Sequence, residues 1–402
     1  MTTSAVASVR EHALLSASGA SRWLACPPSA RLEDTFPETT SAFAEEGTLA
    51  HEMAAVELQK YLFHIPAVEY TAAWTRFRMD KRVTPDFKAA VNTYVDSAIE
   101  AIRSARAINR DAVILVEQRL DYSHLVPEGF GTGDLVTLCD GVAEVRDLKF
   151  GRGVVVSPEN NTQLMLYGLG ALNEFGMLYD IHTVRLTIHQ PRLQEASQSW
   201  DLSVQELLSW AETIPPIAAQ AWAGEGEFTP GDHCRWCRAK GQCRARAEAH
   251  LKLAEKEFSP PPLLSDEEIA VVLGQVDGLV KWAADIKAYA LKTACAGKKF
   301  SGWKLVRGRS NRRYKDQTGA ARVLLDAGFQ EAAIYQPPAE RQLIPLTEME
   351  KLITRKTFTD LLSPFVEKPL GAITLVAASD RRPEVEANGV DGFEDTQEEK
   401  EA

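Results

Sequence analysis

The sequence predicts an α/β fold in which a βββαβ core carries flanking helices and a cysteine-ligated cluster, followed by a smaller α+β domain. Three apolar, β-branched segments come first, and a helical pattern and a fourth extended segment follow them. A proline-rich break at residues 259–262 ends this part of the chain. Beyond the break, a second region has helical and extended patterns of its own.

Hydrophobic periodicity predicts each element in order. A first helix is expected over residues 47–62, before the core. The core strands, the helix that follows the third strand, and the last strand are expected at 112–120, 133–138, 142–150, 159–175 and 182–189. Further helices are expected at 265–293, 317–327 and 346–353. The predicted domains are therefore residues 1–255, a proline-rich linker at 256–264, an α+β domain at 265–383, and a disordered acidic tail at 384–402.

Four of the six cysteines have the spacing of a metal site. Cys234, Cys237 and Cys243 form a C-x2-C-x5-C run, and Cys26 lies 208 residues upstream of it. Tetrahedral zinc and a cubane iron–sulfur cluster each need four ligands, so Cys26 is the candidate for the fourth. Spacing alone does not separate zinc from iron–sulfur. Either metal would tie residue 26 to residue 243 and clamp the predicted core between them.

Two acids and a lysine are predicted on one face of the core sheet. Asp147 and Lys149 share a face because strand side chains alternate, and the hairpin before them can bring Asp134 alongside. Carboxylate oxygens bind Mg2+ or Mn2+, and a neighbouring lysine can stabilise developing negative charge, which suits phosphodiester hydrolysis. An isolated D-x-K is more often an exposed ion pair, so the neighbouring motifs decide between the two interpretations.

The neighbouring motifs favour the catalytic interpretation. His51 closes a G-x-x-x-H motif that begins at Gly47, and Gln163 and Tyr167 lie four residues apart, on one face of a helix. The ordered set G-x-x-x-H, G-x-G-D, D-x-K and Q-x-x-x-Y resembles the RecB-like branch of the PD-(D/E)XK nuclease superfamily. With one early cysteine and a late C-x2-C-x5-C run, it resembles the iron–sulfur subgroup, which includes the AddB nuclease domain and the CRISPR-associated adaptation nucleases.

The resemblance covers residues 14 to 250 and implies a restriction-endonuclease-like fold with a defined active site. It implies that His51, Asp134, Asp147 and the Leu148 carbonyl bind Mg2+ or Mn2+, and that Lys149 is the catalytic lysine. Gln163 and Tyr167 would steady the active site or contact the DNA backbone, and Cys26, Cys234, Cys237 and Cys243 would hold a [4Fe–4S] cluster. Asp147 stands where many relatives carry glutamate. Glu117, on the first strand, is either an added carboxylate or a surface residue.

The charge distribution leaves room for a nucleic-acid substrate. The formal net charge is −11, but residues 384–402 contribute −7 of it, leaving −4 for the rest. Residues 298–315 contain eight Lys or Arg and no acid, interleaved with Phe300, Trp303 and Tyr314. Such a segment can attract phosphates and stack on unpaired bases, or it can be a solvated hairpin whose aromatics pack inward.

These features together predict a metal-dependent DNA nuclease, favoured as an exonuclease on single-stranded DNA or DNA ends. The C-terminal half resembles phage-encoded proteins of unassigned function, which suggests a role in phage replication or recombination. No G-x-x-x-x-G-K-[ST] motif occurs, so a helicase or recombination protein on another chain is an expected partner. The alternative is a catalytically silent DNA-binding scaffold with a structural zinc or iron–sulfur site. With no secretory signal and no apolar stretch of about 20 residues, the expected location is the cytoplasm of a bacterial host, without membrane contact.

Overall fold

A computed structural model describes residues 13–37, 41–193, 196–254, 266–308, 310–335 and 342–386. The chain divides into two compact units, and the second begins at Ala283, within the helix Asp266–Cys295. The predicted proline-rich linker lies outside the described residues, as does the predicted acidic tail beyond residue 386.

The first unit is built on a five-stranded mixed sheet whose strands follow chain order across the sheet. Strands β1 to β5 are Val113–Asp121, Phe130–Cys139, Val142–Leu148, Thr183–His189 and Gln198–Ser203. Strand β3 pairs with β4 in parallel, and all other neighbours are antiparallel. The observed order of β1 to β3, a helix and β4 agrees with the predicted βββαβ pattern. Strand β5, a short edge strand, was not predicted because its apolar alternation is confined to Trp200 and Leu202 in a mostly polar segment.

Helices pack on both faces of this sheet. The helices of the first unit are, in chain order, α1 Ala20–Ala25, α2 Ser29–Asp34, α3 Ala42–Tyr61, α4 Ala67–Met79, α5 Pro85–Ile108, α6 Thr162–Phe175, α7 Val204–Ala211, α8 Ile214–Ala223 and α9 Arg244–Ala254. Helix α10, Asp266–Cys295, contains the boundary between the two units. One buried apolar cluster joins the sheet to α6, and a second joins its opposite face to α3 and α5. These two faces are called the α6 face and the α3 face below.

Two helix boundaries differ from the sequence prediction, and in both cases a capping side chain explains the difference. Helix α3 begins at Ala42 rather than residue 47, because the Ser41 side chain accepts a hydrogen bond from the Ala44 amide. His51 therefore lies in the third turn of α3, one turn later than a helix beginning at residue 47 would place it. Helix α6 begins at Thr162 rather than residue 159, because Asn161 caps it through the Leu164 amide.

The second unit is a small α+β structure. Strand β6, Trp303–Arg307, pairs with β9, Ile373–Ala377, and β7, Arg313–Tyr314, pairs with β8, Val366–Glu367. The helices between them are α11 Gln317–Asp326, α12 Glu331–Ile334, α13 Leu346–Ile353 and α14 Arg355–Leu362. Of the three aromatics interleaved in the basic segment, Phe300 and Tyr314 pack against apolar clusters, whereas Trp303 is exposed. Within the described residues, no helix combines the length and apolar character needed to cross a membrane.

Candidate active site

Three carboxylates form a row across three neighbouring strands of the sheet. The pairs Val116↔Leu135 and Gln118↔Gly133 bracket Glu117 of β1 and Asp134 of β2, so these two acids lie opposite each other. On the other side of β2, the pair Leu135↔Arg146 makes Asp147 of β3 the next residue opposite Asp134. Acids from three strands thus meet at one level of the sheet, although 30 residues separate the first from the last.

His51 joins this row from α3. Its Nδ1 lies 2.9 Å from Asp134 Oδ1, while Asp134 Oδ2 accepts a hydrogen bond from the Leu148 amide at 2.6 Å. Burial would lower the pKa of His51, but the charge and hydrogen bond of Asp134 raise it to about 9. The imidazole is therefore protonated at neutral pH in the metal-free protein. A cation that binds through this nitrogen must displace its proton.

Lys149 lies beside Asp147 on the α6 face. Its Nζ is 2.9 Å from Asp147 Oδ2 and donates to Gln163 Oε1 at 2.8 Å. Gln163 Nε2 in turn donates to Tyr167 Oη at 3.1 Å and to Asp147 Oδ1 at 3.4 Å. Burial raises the pKa of Asp147, and the Lys149 ammonium opposes this shift. The lysine is thus held by two partners from different elements, with its charge fixed beside the row of acids.

Gly131 explains how Tyr167 fits against β2. A Cβ atom at Gly131 would lie 2.3 Å from Tyr167 Cε1, so only glycine leaves room for the ring at this position. The first glycine of the G-x-G-D motif is therefore a packing requirement of the Q-x-x-x-Y motif. Two motifs that are 36 residues apart in sequence are in direct contact in the fold.

The sequence analysis assigned no role to Tyr94 and left two roles open for Glu117, yet both residues lie at this site. The Tyr94 hydroxyl, on α5, is fully buried and lines the same pocket as His51, Glu117 and Asp134. Its pKa is raised well above the usual value, by burial and by the nearby Asp134 charge. Glu117, the most exposed of the three acids, has a pKa raised to about 7 by desolvation and then by Asp134. Tyr94 carried no sequence signal, because a tyrosine on an amphipathic helix is ordinarily a core residue.

The donor set suits a hard divalent cation. Ligand atoms of His51, Glu117 and Asp134 all lie within 4.8 Å of one another, a spacing that one cation can span. Asp147 borders this group but is engaged by Lys149. The backbone of Leu148 lies next to Asp134 through its amide. Of the residues implied for metal binding, His51, Asp134 and Leu148 line one pocket, which Glu117 also lines, and Asp147 lies next to Asp134 on the adjacent strand.

A second potential metal site lies where α2 meets the cysteine run. The thiols of Cys26, Cys234, Cys237 and Cys243 line one pocket, although Cys26 is distant in sequence. Glu33 of α2 fixes this arrangement: its carboxylate accepts hydrogen bonds from the Arg22 side chain and from the Arg238 amide, which follows Cys237. Four convergent thiols supply the full ligand set of tetrahedral zinc or of a cubane cluster. Four thiols are the number of ligands that either group requires, although within the described residues only the ligand atoms of His51, Glu117 and Asp134 lie within 4.8 Å of one another.

By fold, the protein is a mixed α/β protein with a five-stranded sheet and a carboxylate–histidine–lysine site at the sheet. The chain belongs to the family described as "Protein of unknown function (DUF2800)", whose model matches residues 12–383. Among solved structures it is similar to one titled "Crystal structure of SSO0001", with 14% sequence identity and a TM-score of 0.23. That match covers 48% of this chain and 96% of the other.

Proposed function

We propose that this protein is a Mg2+- or Mn2+-dependent deoxyribonuclease, acting as an exonuclease on single-stranded DNA or DNA ends. The observation that carries the proposal is the contact of His51 with Asp134 on β2, next to the ion pair of Asp147 and Lys149 on the adjacent strand β3. Oxygen ligands favour a hard cation, and a fixed ammonium beside them favours an anionic reaction centre.

Each residue has a role that follows from its contacts. His51, Asp134 and Asp147, with the Leu148 carbonyl, would hold the metal. When bound, the divalent cation polarises a phosphoryl oxygen and lowers the pKa of a water molecule. The positive charge of Lys149 would stabilise the negative charge that develops on the phosphoryl group, or the lysine would orient the attacking water. Gln163 holds the lysine and the Asp147 carboxylate together, and Tyr167 holds Gln163.

The four cysteines are assigned to a structural [4Fe–4S] cluster, with zinc as the alternative. The convergence of Cys26 with Cys234, Cys237 and Cys243 in one pocket supports a shared metal. The sequence resemblance to the iron–sulfur subgroup favours iron over zinc. In this proposal the cluster stabilises the first unit and takes no part in cleavage.

The second unit is assigned an accessory role in binding DNA or a partner protein. Of its basic segment, Arg312 and Arg313 are paired with Glu350 and Glu367, so they are partly neutralised. Trp303 is 55% exposed and available for stacking on an unpaired base. The proposed partner is a helicase or recombination protein. The proposed setting is phage replication or recombination in the cytoplasm of a bacterial host.

The proposed function is tested with purified wild-type protein and end-labelled DNA. Single-stranded, blunt duplex and overhang substrates are incubated with Mg2+, Mn2+ or EDTA, and products are resolved by length. We expect metal-dependent shortening of single strands or ends, and no cleavage in EDTA. Binding of DNA without cleavage under every metal condition would contradict the nuclease and favour the scaffold interpretation.

A further inference from the structure

Strand β1 breaks its side-chain alternation at Glu117. Before this residue, Ile114 and Val116 pack on the α3 face, while Leu115 packs on the α6 face. Regular alternation would direct Glu117 to the α6 face and Gln118 to the α3 face. Instead, Gln118 donates a hydrogen bond to Glu174 of α6, and the Glu117 carboxylate reaches His51 of α3. The strand therefore reverses its side-chain pattern at this one residue.

The backbone at Glu117 accounts for this reversal. Its φ is 53°, in the left-handed region that non-glycine residues rarely adopt. The partner strand changes in the same place: a Cβ at Gly133 would point at Leu120 and Val145 of the α6 face, and Leu135 packs on the α3 face. Glu117 and Asp134 are thus both turned toward His51. Without this change in the two strands, Glu117 would point away from the pocket.

A buried hydroxyl in the same pocket independently points to a ligand. Tyr94 is 1% exposed, and its Oη has no hydrogen-bond partner among the described residues. It lines the pocket together with His51, Glu117 and Asp134. A buried hydroxyl normally has a partner, either a protein group or an ordered water. A water ligand of a cation held by those three residues would supply that partner.

We propose that Glu117 joins His51 and Asp134 as a direct protein ligand of the divalent cation, and that the Tyr94 hydroxyl bonds to a water ligand of that cation. Glu117 adds a carboxylate to those of Asp134 and Asp147, so Asp147 can contribute to the cation site and keep its ion pair with Lys149. Tyr94 acts as a positioning residue, since it contacts the water and not the metal. This inference rests on the proposed function, because the cation bound by Glu117 is the one that the nuclease would use.

The test is Mn2+ binding, followed by the loss of the free-ion electron paramagnetic resonance signal, in parallel with DNA cleavage. Glu117→Gln removes the ligand charge at nearly constant shape, and Glu117→Asn does so with a residue that tolerates the left-handed backbone better. Glu128→Gln is the matched control, since Glu128 is exposed, has the same φ of 53° and lies outside the pocket. Melting of each metal-free variant reports its folding.

We expect Glu117→Gln and Glu117→Asn to weaken Mn2+ binding about tenfold or more, with Glu128→Gln unchanged. Tyr94→Phe should also weaken Mn2+ binding about tenfold, yet melt in the metal-free state at or above the wild-type temperature, because it removes an unpartnered hydroxyl. Wild-type Mn2+ affinity in both Glu117 variants would overturn the ligand assignment. If Tyr94→Phe binds Mn2+ with wild-type affinity, or melts at a lower temperature than wild type without metal, Tyr94 is a packing residue. Either result would overturn the proposal that its hydroxyl bonds to a water ligand of the cation.

The two proposals fail in different ways. If wild type cleaves DNA and the Glu117 variants bind Mn2+ normally, the nuclease stands and Glu117 is not a ligand. If wild type binds Mn2+ and loses it on Glu117 substitution but cleaves no DNA, the cation site stands and the nuclease is wrong.

Discussion

At the scale of single residues, Arg192 fixes the helix that carries His51. Its guanidinium donates to both carboxylate oxygens of Glu46, at 2.7 and 2.8 Å, and lies 3.9 Å above the centre of the Phe150 ring. Glu46 precedes His51 by little more than one turn of α3. The contact joins residues 146 apart in sequence, so no local pattern could have predicted it.

This pair gives a pH-dependent prediction. The Arg192 hydrogen bond holds the pKa of Glu46 below its usual value of 4.5, so the pair stabilises the fold fully above about pH 4.5 and loses that contribution as the pH falls through the lowered pKa. Glu46→Gln should lower the free energy of unfolding by about 1–2 kcal/mol at pH 7, and the difference from wild type should shrink below about pH 4. Urea unfolding at several pH values measures both.

Glu45→Gln is the control for this prediction. Glu45 is the adjacent residue, its side chain is 56% exposed, and its contact with Arg82 is longer, at 3.3 Å. Its substitution should change the free energy of unfolding by no more than a few tenths of a kcal/mol. A Glu46→Gln effect that stays constant from pH 7 down to about pH 3 would show that lost packing, and not the ion pair, is responsible.

At the scale of elements, the sequence predicted those contacts that depend on regular periodicity. Strand alternation places Asp147 and Lys149 together, and the four-residue helical spacing places Gln163 beside Tyr167. The turn of Glu117 into the pocket could not be predicted, because it depends on an irregular backbone angle. Tyr94 could not be identified either, since its role comes from what surrounds its hydroxyl in three dimensions.

Gln190 orders the segment that follows Lys149. This residue is 2% exposed at the end of β4; its amide accepts a hydrogen bond from the Val156 amide and donates one to the Val154 carbonyl, each at 2.8 Å. Both contacts hold residues 151–156, which connect Lys149 to α6. The Gln190 side chain thus makes the kind of hydrogen bonds to the backbone of this segment that a neighbouring strand would make.

Gln190→Leu should release this segment without unfolding the sheet. Loss of two hydrogen bonds, each of about 1 kcal/mol, should speed amide hydrogen exchange of Val156 by about 10-fold or more, while amides of β3 keep their protection. Gln118→Leu, which removes an exposed amide from β1, is the control and should leave Val156 unchanged. Equal exchange of Val156 in wild type and Gln190→Leu would mean that the segment is ordered by other contacts.

At the scale of the whole molecule, a metal shared by the four cysteines would close a loop of more than 200 residues. Cys26 and Cys243 lie near opposite ends of the first unit in sequence, and the residues of the candidate active site lie between them. A metal that binds only the folded chain contributes its binding free energy to folding. A link of this length also restricts the unfolded chain.

The cluster assignment predicts about four iron atoms per chain, and a brown colour, in protein purified without oxygen. Cys237→Ala should lose the metal and melt about 10 °C lower or more, with proteolysis spread over residues 14–250. Cys139→Ala, which alters a thiol outside the cysteine pocket, should keep its metal. Colourless, active protein with one zinc per chain would select zinc, and a Cys237→Ala variant that melts like wild type but is inactive would give the metal a catalytic role.

The central claim is that the site formed by His51, Asp134, Asp147 and Lys149 cleaves phosphodiester bonds. The most direct measurement is the rate of DNA cleavage at saturating Mn2+ by wild type and Lys149→Ala. Removing the ammonium leaves His51, Glu117, Asp134 and Asp147 in place, so Mn2+ affinity should be kept or increased. The cleavage rate should fall about 100-fold, because a fixed charge beside the reacting phosphate is lost. Lys149→Ala cleaving as fast as wild type, or wild type not cleaving at all with Mn2+ bound, would contradict the account.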